Sequence, residues 1–463
     1  MAGHTADKFM REYLRGVTHE LGPRPDAVGP GPLVAPSQPF ALGGLLLLED
    51  GPMQGWVTVQ GDRIASVRKT KPRGMLSLAT GGVVLPGLLD MHNHPDFNVF
   101  AAWEPPEVYP NRYKWRDSVL YERVIKAPNR LMDDQLAIPG ARLQYAEIRA
   151  MVGGVTAIQG RNGASDAAEP LVRNVDRFVF GSHRARTVID LPAKVDGFGW
   201  ESFAAVLKAI EDDRVDAFYI HLAEGLPDDE KSRKEFPRLK EFDALGPATI
   251  IVHGTALTPS ELGEAADAGA KLVWSPQSNL RLYRKTTDIK AAFDAKLPVC
   301  LGADWLPSGS VNLLAEMKVA ANEMLDQGID VEPRMLVDMV TSTAADIAGL
   351  GDNLGRLEVG RPADIAVFSR LAEDPYESVL AANARDVEMV LIGGDITYAR
   401  QEWTDALAAD VPAPNLRPVI AWGKRMRLDN GFRARPDEET VPTLDDLRAD
   451  LIAAFPQVGP IWA

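Results

Sequence analysis

The chain has 463 residues, 46% of them hydrophobic and 25% charged, a composition that argues for a folded globular protein and against a disordered one. A formal net charge of -15 argues against nucleic acid or an anionic membrane surface as a partner, because binding phosphates takes a basic footprint. The single cysteine, Cys300, cannot close an intrachain disulfide, and no apolar run is long enough to cross a bilayer, so a reducing, cytoplasmic setting is expected.

Residues 1–39 read as an N-terminal arm: one short helix over 6–17, then a segment rich in Pro and Gly. Arg11 and Arg15 are followed by no apolar core, so the start is not expected to be a secretory signal. Between 40 and 70 the β-type runs Trp56-Val57-Thr58-Val59 and Ile64-Ala65-Ser66-Val67 are punctuated by Asp50-Gly51 and Gly61-Asp62, which predicts a meander of hairpins. The apolar run Gly82-Val83-Val84-Leu85 then predicts the first strand of a buried parallel sheet, leading into Pro86-Gly87-Leu88-Leu89-Asp90-Met91-His92-Asn93-His94. On an extended backbone His92 and His94 share a face, whereas on a helix they would diverge by about 200°.

Further strands are expected at 154–159, near 178–182 and 187–191, and at 217–221, 249–253, 271–274 and 298–302. Amphipathic helices fit between several of them, such as 200–211 with Phe203, Val206, Leu207 and Ile210 on one face, and 259–268. Eight strands with crossover-length connections predict an α/β fold, a (β/α)8 TIM barrel over 81–349, most compressed at 161–191. Short strands at 355–368 and 387–398 turn at Gly393-Gly394-Asp395. With the early hairpins they predict a small discontinuous β-sandwich domain from both chain ends, residues 40–80 and 350–400. The extension 401–463 closes with a helix capped by Thr443 and Asp446, whose stripe of Leu444, Leu447, Leu451 and Phe455 is expected to pack on its own subunit. A homo-oligomer is the expected assembly.

Four of the seven histidines fall at the ends of predicted barrel strands: His92 and His94, His221 in Phe218-Tyr219-Ile220-His221, and His253 in Ile250-Ile251-Val252-His253. Asp304, in Gly302-Ala303-Asp304, puts a carboxylate at the same rim, where such folds carry their chemistry. His92, His94, His221 and Asp304 are a mixed N/O set suited to one divalent metal ion, zinc first, with cobalt, iron or manganese as alternatives. Such an ion lowers the pKa of bound water to about 7, so metal-bound hydroxide would be the nucleophile. Glu224, three residues beyond His221, is placed to shuttle its proton. His253 could be a fourth imidazole ligand, or it could orient the water and stabilise charge on the substrate; the second reading suits a sphere the other four already fill. His183, between Ser182 and Arg184, reads as a loop or structural residue.

These motifs, with Gly153-Gly154-Val155-Thr156, Val252-His253-Gly254, Ser275-Pro276-Gln277-Ser278-Asn279 and Leu354-Gly355-Arg356-Leu357-Glu358-Val359-Gly360-Arg361-Pro362-Ala363-Asp364, resemble the metal-dependent amidohydrolase superfamily over residues 40–400. The His-x-x-Glu and Ser-Pro-x-Ser-Asn elements are similar to its mononuclear branch of deaminases and triazine chlorohydrolases. The resemblance implies His92, His94, His221 and Asp304 as ligands, Glu224 as acid/base, His253 as a water or substrate contact, and Ser278 and Asn279 in the pocket. The binuclear branch would need a bridging lysine, and Lys194 reads as a solvated loop residue instead.

The loop after His94 is long and aromatic, and Trp103 and Trp115 from it, with Trp274 and Trp305, are candidate walls of an apolar substrate site. Many deaminases carry a small polar residue where Trp305 follows Asp304, which argues against a nucleoside or guanine. The expected substrate is a neutral, hydrophobic urea-, carbamate-, thiocarbamate- or amide-like small molecule cleaved at a C-N or C-S bond, and within the superfamily the chain is more similar to molinate hydrolase and the phenylurea hydrolases. The alternatives are a deaminase or dechlorinase of an N-heterocycle on the same site, or a non-catalytic scaffold that has lost its metal.

Overall fold

The computed structural model describes residues 39–160, 171–176, 180, 184–192, 198–407, 416–431 and 441–462. The expected arm helix at 6–17, most of the expected strand near 178–182, His183 and Lys194 lie outside the described residues.

The early strands are β1 (Phe40–Leu48), β2 (Gly51–Gln60), β3 (Arg63–Arg68) and β4 (Leu76–Pro86). The parallel strands that follow are β5 (Leu88–Asp90), β6 (Val155–Ile158), β7 (Arg173–Asn174), β8 (Ala185–Val188), β9 (Ala217–Leu222), β10 (Thr249–His253), β11 (Lys271–Trp274) and β12 (Val299–Leu301). The late strands are β13 (Ile365–Phe368), β14 (Val387–Ile392), β15 (Asp395–Arg400), β16 (Leu416–Ala421) and β17 (Lys424–Asp429).

Early and late strands form one nine-stranded sheet in the order β16-β17-β15-β14-β13-β4-β1-β2-β3, joined across the chain where β4 pairs antiparallel with β13. The hairpin β16–β17, in a stretch where no strands were expected, lengthens this sheet through β15. The parallel strands form a three-stranded sheet, β5-β6-β7, and a five-stranded sheet, β12-β11-β10-β9-β8. Their edges meet at β5 and β12, where the Met91 N–H donates to the Leu301 carbonyl (3.3 Å) and the Asp304 N–H to the His92 carbonyl (2.8 Å). Every residue of β9 and β10 is buried, as expected of strands covered on both faces.

The structure corrects one assignment directly. The apolar run Gly82-Val83-Val84-Leu85 lies in β4, part of the nine-stranded sheet, and the parallel sheet begins only after Pro86-Gly87. A buried apolar run has no preference between two sheets that both bury it, so the local pattern could not decide. Gly87 makes the passage possible: a Cβ there would lie 2.2 Å from the side chain of Thr156 on β6. The two parts are tied again by a buried bidentate pair, Arg173 Nε and Nη2 to Asp364 Oδ2 and Oδ1 (2.7 and 2.9 Å).

The closing helix, Leu444–Ala454, has the expected Thr443/Asp446 capping box and buries Leu447 and Leu451 completely. It packs on the helix Ala141–Val152 of its own chain, with Phe455 edge-on to Phe100 at 5.7 Å. Among the described residues no helix is long and apolar enough to cross a membrane.

Candidate metal centre

The turn after β5 presents His92 and His94, β9 presents His221, the last residue of β10 is His253, and Asp304 follows β12. Residues far apart in sequence therefore meet at one end of the parallel sheets. The ring centroid of His92 is 4.9 Å from His94, 4.7 Å from His221 and 5.1 Å from His253. Asp304 Oδ1 lies 3.2 Å from His92 Nε2 and 3.5 Å from His94 Nε2.

The backbone is shaped to do this. Asp304 and His253 have φ of 60° and 70°, left-handed values that residues with a Cβ rarely adopt and that need surrounding contacts to hold them. Asp304 is held by its hydrogen bonds with the backbone of His92 and His94, and His253 by Thr287 Oγ1, which donates to its carbonyl at 2.6 Å. Asp90 clamps both ligand loops: its Oδ2 accepts from Asn93 Nδ2 (2.7 Å) and its Oδ1 from the Ala303 N–H (2.9 Å). Gly302 is required because a Cβ there would sit 2.5 Å from His92 Cβ.

The donor set fits a metal. Ligand atoms of His92, His221 and His253 lie within 4.8 Å of one another, as do those of His92, His94 and Asp304. Ligands held tetrahedrally about 2.1 Å from an ion are roughly 3.4 Å apart, which matches the two distances from Asp304. His221 Nδ1 is buried without a hydrogen-bond partner among the described residues, and the buried His92 Nε2 faces the Asp304 carboxylate at 3.2 Å. Buried nitrogens left unpaired are costly unless something else occupies their lone pairs.

Electrostatics agree. Burial brings His94 and His253 down to about 3 and His221 well below its ordinary value, so these imidazoles are neutral with free lone pairs. His92 is also pushed down by burial, but the carboxylates of Asp304, Asp90 and Glu224 together outweigh this and raise it. Asp304, despite burial, is held below the usual carboxylate range by His92 and its neighbours.

Glu224 lies beside this cluster, buried, its Oε2 3.7 Å from His253 Nε2 and its Oε1 accepting from Tyr283 OH at 2.6 Å. Burial raises its pKa against the opposing effects of Arg112 and Tyr283. His253 Nδ1 faces Asn279 Oδ1 at 3.1 Å, and the Asn279 amide NH2 donates to Thr286 Oγ1. That orientation puts the proton on Nδ1 and leaves the Nε2 lone pair toward Glu224.

The other expected site residues divide. Asn279 joins the centre through His253. Ser278 is fully buried against Ser308 (2.7 Å), and Trp274 is fully buried with its indole N–H on Thr286. Trp103, Trp115 and Trp305 pack in one aromatic cluster with Phe97 and Tyr121, in which Trp115 stacks on Trp305 at 5.5 Å. Sequence reasoning gave no role of their own to Tyr283, Arg112 and Glu235. Glu235 Oε2 accepts from the Ala223 N–H (2.7 Å) and from Arg112 (3.0 Å), fixing the turn that carries Glu224. A charged residue on a helix is ordinarily solvated, so nothing in its sequence setting marked Glu235 as buried.

Residues 83–397 match the model of the Amidohydrolase family. The chain belongs to the amidohydrolase family. This amidohydrolase is an enzyme whose curated relatives include a 5-methylthioadenosine/S-adenosylhomocysteine deaminase of Halobacterium salinarum, 24% identical over 70% of this chain and 83% of that one. Another, an 8-oxoguanine deaminase of Pseudomonas aeruginosa, is 26% identical over 68% and 82%. A deaminase of the first kind from Teredinibacter turnerae is 30% identical, but the match spans only 40% of this chain and 42% of that enzyme. Among solved structures, a triazine hydrolase variant superposes with a TM-score of 0.63 at 19% identity, covering 90% of this chain and 99% of that one. A zinc-bound adenosine deaminase from Xanthomonas campestris gives 0.57 at 17%, covering 77% and 92%. At such identities the structures carry the fold alone. Together the matches support the superfamily and not the narrower likeness to molinate hydrolase and the phenylurea hydrolases.

Proposed function

We propose that this amidohydrolase holds one divalent ion, zinc first, on His92, His94, His221 and Asp304, and hydrolyses a C-N bond of a neutral aromatic small molecule, the leading reaction being hydrolytic deamination of an N-heterocycle. In the same reading the three- and five-stranded sheets are the halves of one (β/α)8 barrel over 88–349, and 40–86 with the late strands form the second domain.

The observation that carries the reading is Glu224, with one oxygen held by Tyr283 and the other facing His253 beside the two metal-binding triads. An ion bound there would supply Lewis-acid activation of a water molecule. Glu224 then takes a proton at Oε2 and returns it to the leaving nitrogen, which its raised pKa suits. His253 Nε2, a hydrogen-bond acceptor, orients the attacking water. Asn279 holds His253 Nδ1, and Trp103, Trp115 and Trp305 supply apolar surface to the site, whereas Ser278 and Trp274, fully buried against Ser308 and Thr286, offer it none. The deaminases among the relatives support this reaction type.

A second reading, hydrolysis of a urea or thiocarbamate, is favoured by the cluster around Trp305, immediately after Asp304, which suits an aryl or alkyl substrate. The test is incubation of zinc-loaded protein with adenosine-type nucleosides, guanines, aminotriazines, phenylureas and thiocarbamates. Ammonia release from a heterocycle is expected. Release of an aniline or thiol instead selects the second reading, and a fully loaded protein that turns over none of them overturns both.

A further inference from the structure

The long aromatic loop after His94 does more than enclose the site. Between 110 and 115 it is wedged against the turn that carries Glu224: the Arg112 N–H donates to the Glu224 carbonyl (3.2 Å), and Asn111 and Gly225 form an isolated antiparallel bridge. The fit is close enough that a Cβ on Gly225 would lie 2.5 Å from the Pro110 carbonyl oxygen. From this loop Trp115 donates its indole N–H to Tyr283 OH at 2.8 Å, and Tyr283 OH donates to Glu224 Oε1 at 2.6 Å. All three side chains are buried, at 9%, 0% and 3% exposure, so water does not compete for these bonds.

We propose that Trp115 and Tyr283 are positioning residues: a relay of two hydrogen bonds that fixes the Glu224 carboxylate with Oε2 turned to the metal centre. The inference rests on the reading of Glu224 as the acid/base. The logic is one of donor count. An indole N–H can only donate, so it takes up an acceptor lone pair of the Tyr283 hydroxyl and leaves the single hydroxyl hydrogen to point at Glu224. Oε1 is thereby engaged, and Oε2 alone is available to exchange a proton. Tyr283 lies on the helix Pro276–Tyr283, which also carries Asn279, so one rigid element orients both Glu224 and His253.

Two measurements separate the relay from the function it serves. In 1H–15N spectra the indole resonance of Trp115, identified by its loss in W115F, is expected to move in E224Q and more strongly in Y283F, with bound metal unchanged. A Trp115 resonance indifferent to both substitutions overturns the relay, whatever the enzyme's substrate. On whichever substrate the wild type turns over, Y283F is expected to lose about 10–100-fold in kcat with KM within about twofold, and W115F less, because Tyr283 remains. The W115F/Y283F double variant is expected to be no slower than Y283F, since both act through one bond. Losses that multiply, or that fall on KM, overturn the positioning role. A shifted resonance in a protein whose E224Q variant stays fully active keeps the relay and sinks the acid/base reading instead.

Discussion

Glu316 allows a test of burial electrostatics that needs no substrate. It lies on the helix Leu313–Asp326, is fully buried, and uses Oε1 to accept the Gln277 N–H at 3.1 Å. Burial pushes it from 4.5 up to about 8, against hydrogen bonding from Ser310 and Gln277 and with help from the Asp90 and Asp304 carboxylates. The folded chain then keeps this proton up to about pH 8, whereas the unfolded chain loses it near 4.5. Stability therefore falls as pH rises from about 4.5 to about 8 and is flat beyond. The full displacement is worth roughly 5 kcal/mol at 1.36 kcal/mol per decade, an upper bound that local relaxation and entering water reduce, so about 2 kcal/mol or more is expected. Glu316→Gln keeps the acceptor for Gln277 and has no proton to lose, so it should match the wild type at pH 5 and exceed it at pH 9. The assay is the urea midpoint of the EDTA-treated chain at pH 5, 7 and 9, because a bound cation would stabilise the carboxylate. Parallel pH profiles for the two chains, or a variant already weaker by about 1 kcal/mol or more at pH 5, would refute the reasoning.

Glu224→Gln should retain metal and lower kcat by about 10²–10⁴-fold, the usual contribution of a positioned proton carrier, as read by steady-state kinetics with metal analysis. EDTA should abolish turnover and zinc restore it, and His92→Ala should bind less than about 0.2 equivalents by elemental analysis, since His92 belongs to both triads. Gly302→Ala should cost metal affinity and not merely rate, because its Cβ would meet His92 N at 2.6 Å and displace a ligand backbone; titration calorimetry with zinc reads this. Arg173→Ala should destabilise the fold by about 3–5 kcal/mol by stranding the buried Asp364 carboxylate, seen as a lower urea midpoint at pH 7.

Periodicity and composition were enough to determine the parallel strand at 155–158 and those from 217 to 301, the hairpins over 40–68 and 387–400, the capped closing helix, and four histidines with an aspartate at strand ends, but not β7. These are local properties: alternation, apolar runs and cap residues act over a few positions, and polar groups that end an apolar run stand out. Tertiary structure alone decided which sheet took Gly82-Val83-Val84-Leu85, that 416–429 extends the nine-stranded sheet, and that His253 turns its Nε2 to Glu224. It alone joined Trp115 to Tyr283 and Tyr283 to Glu224, whose separations of 168 and 59 residues leave no periodic trace. Such contacts depend on loop packing and on the direction of individual lone pairs, and those are set only once the strands have brought distant segments together.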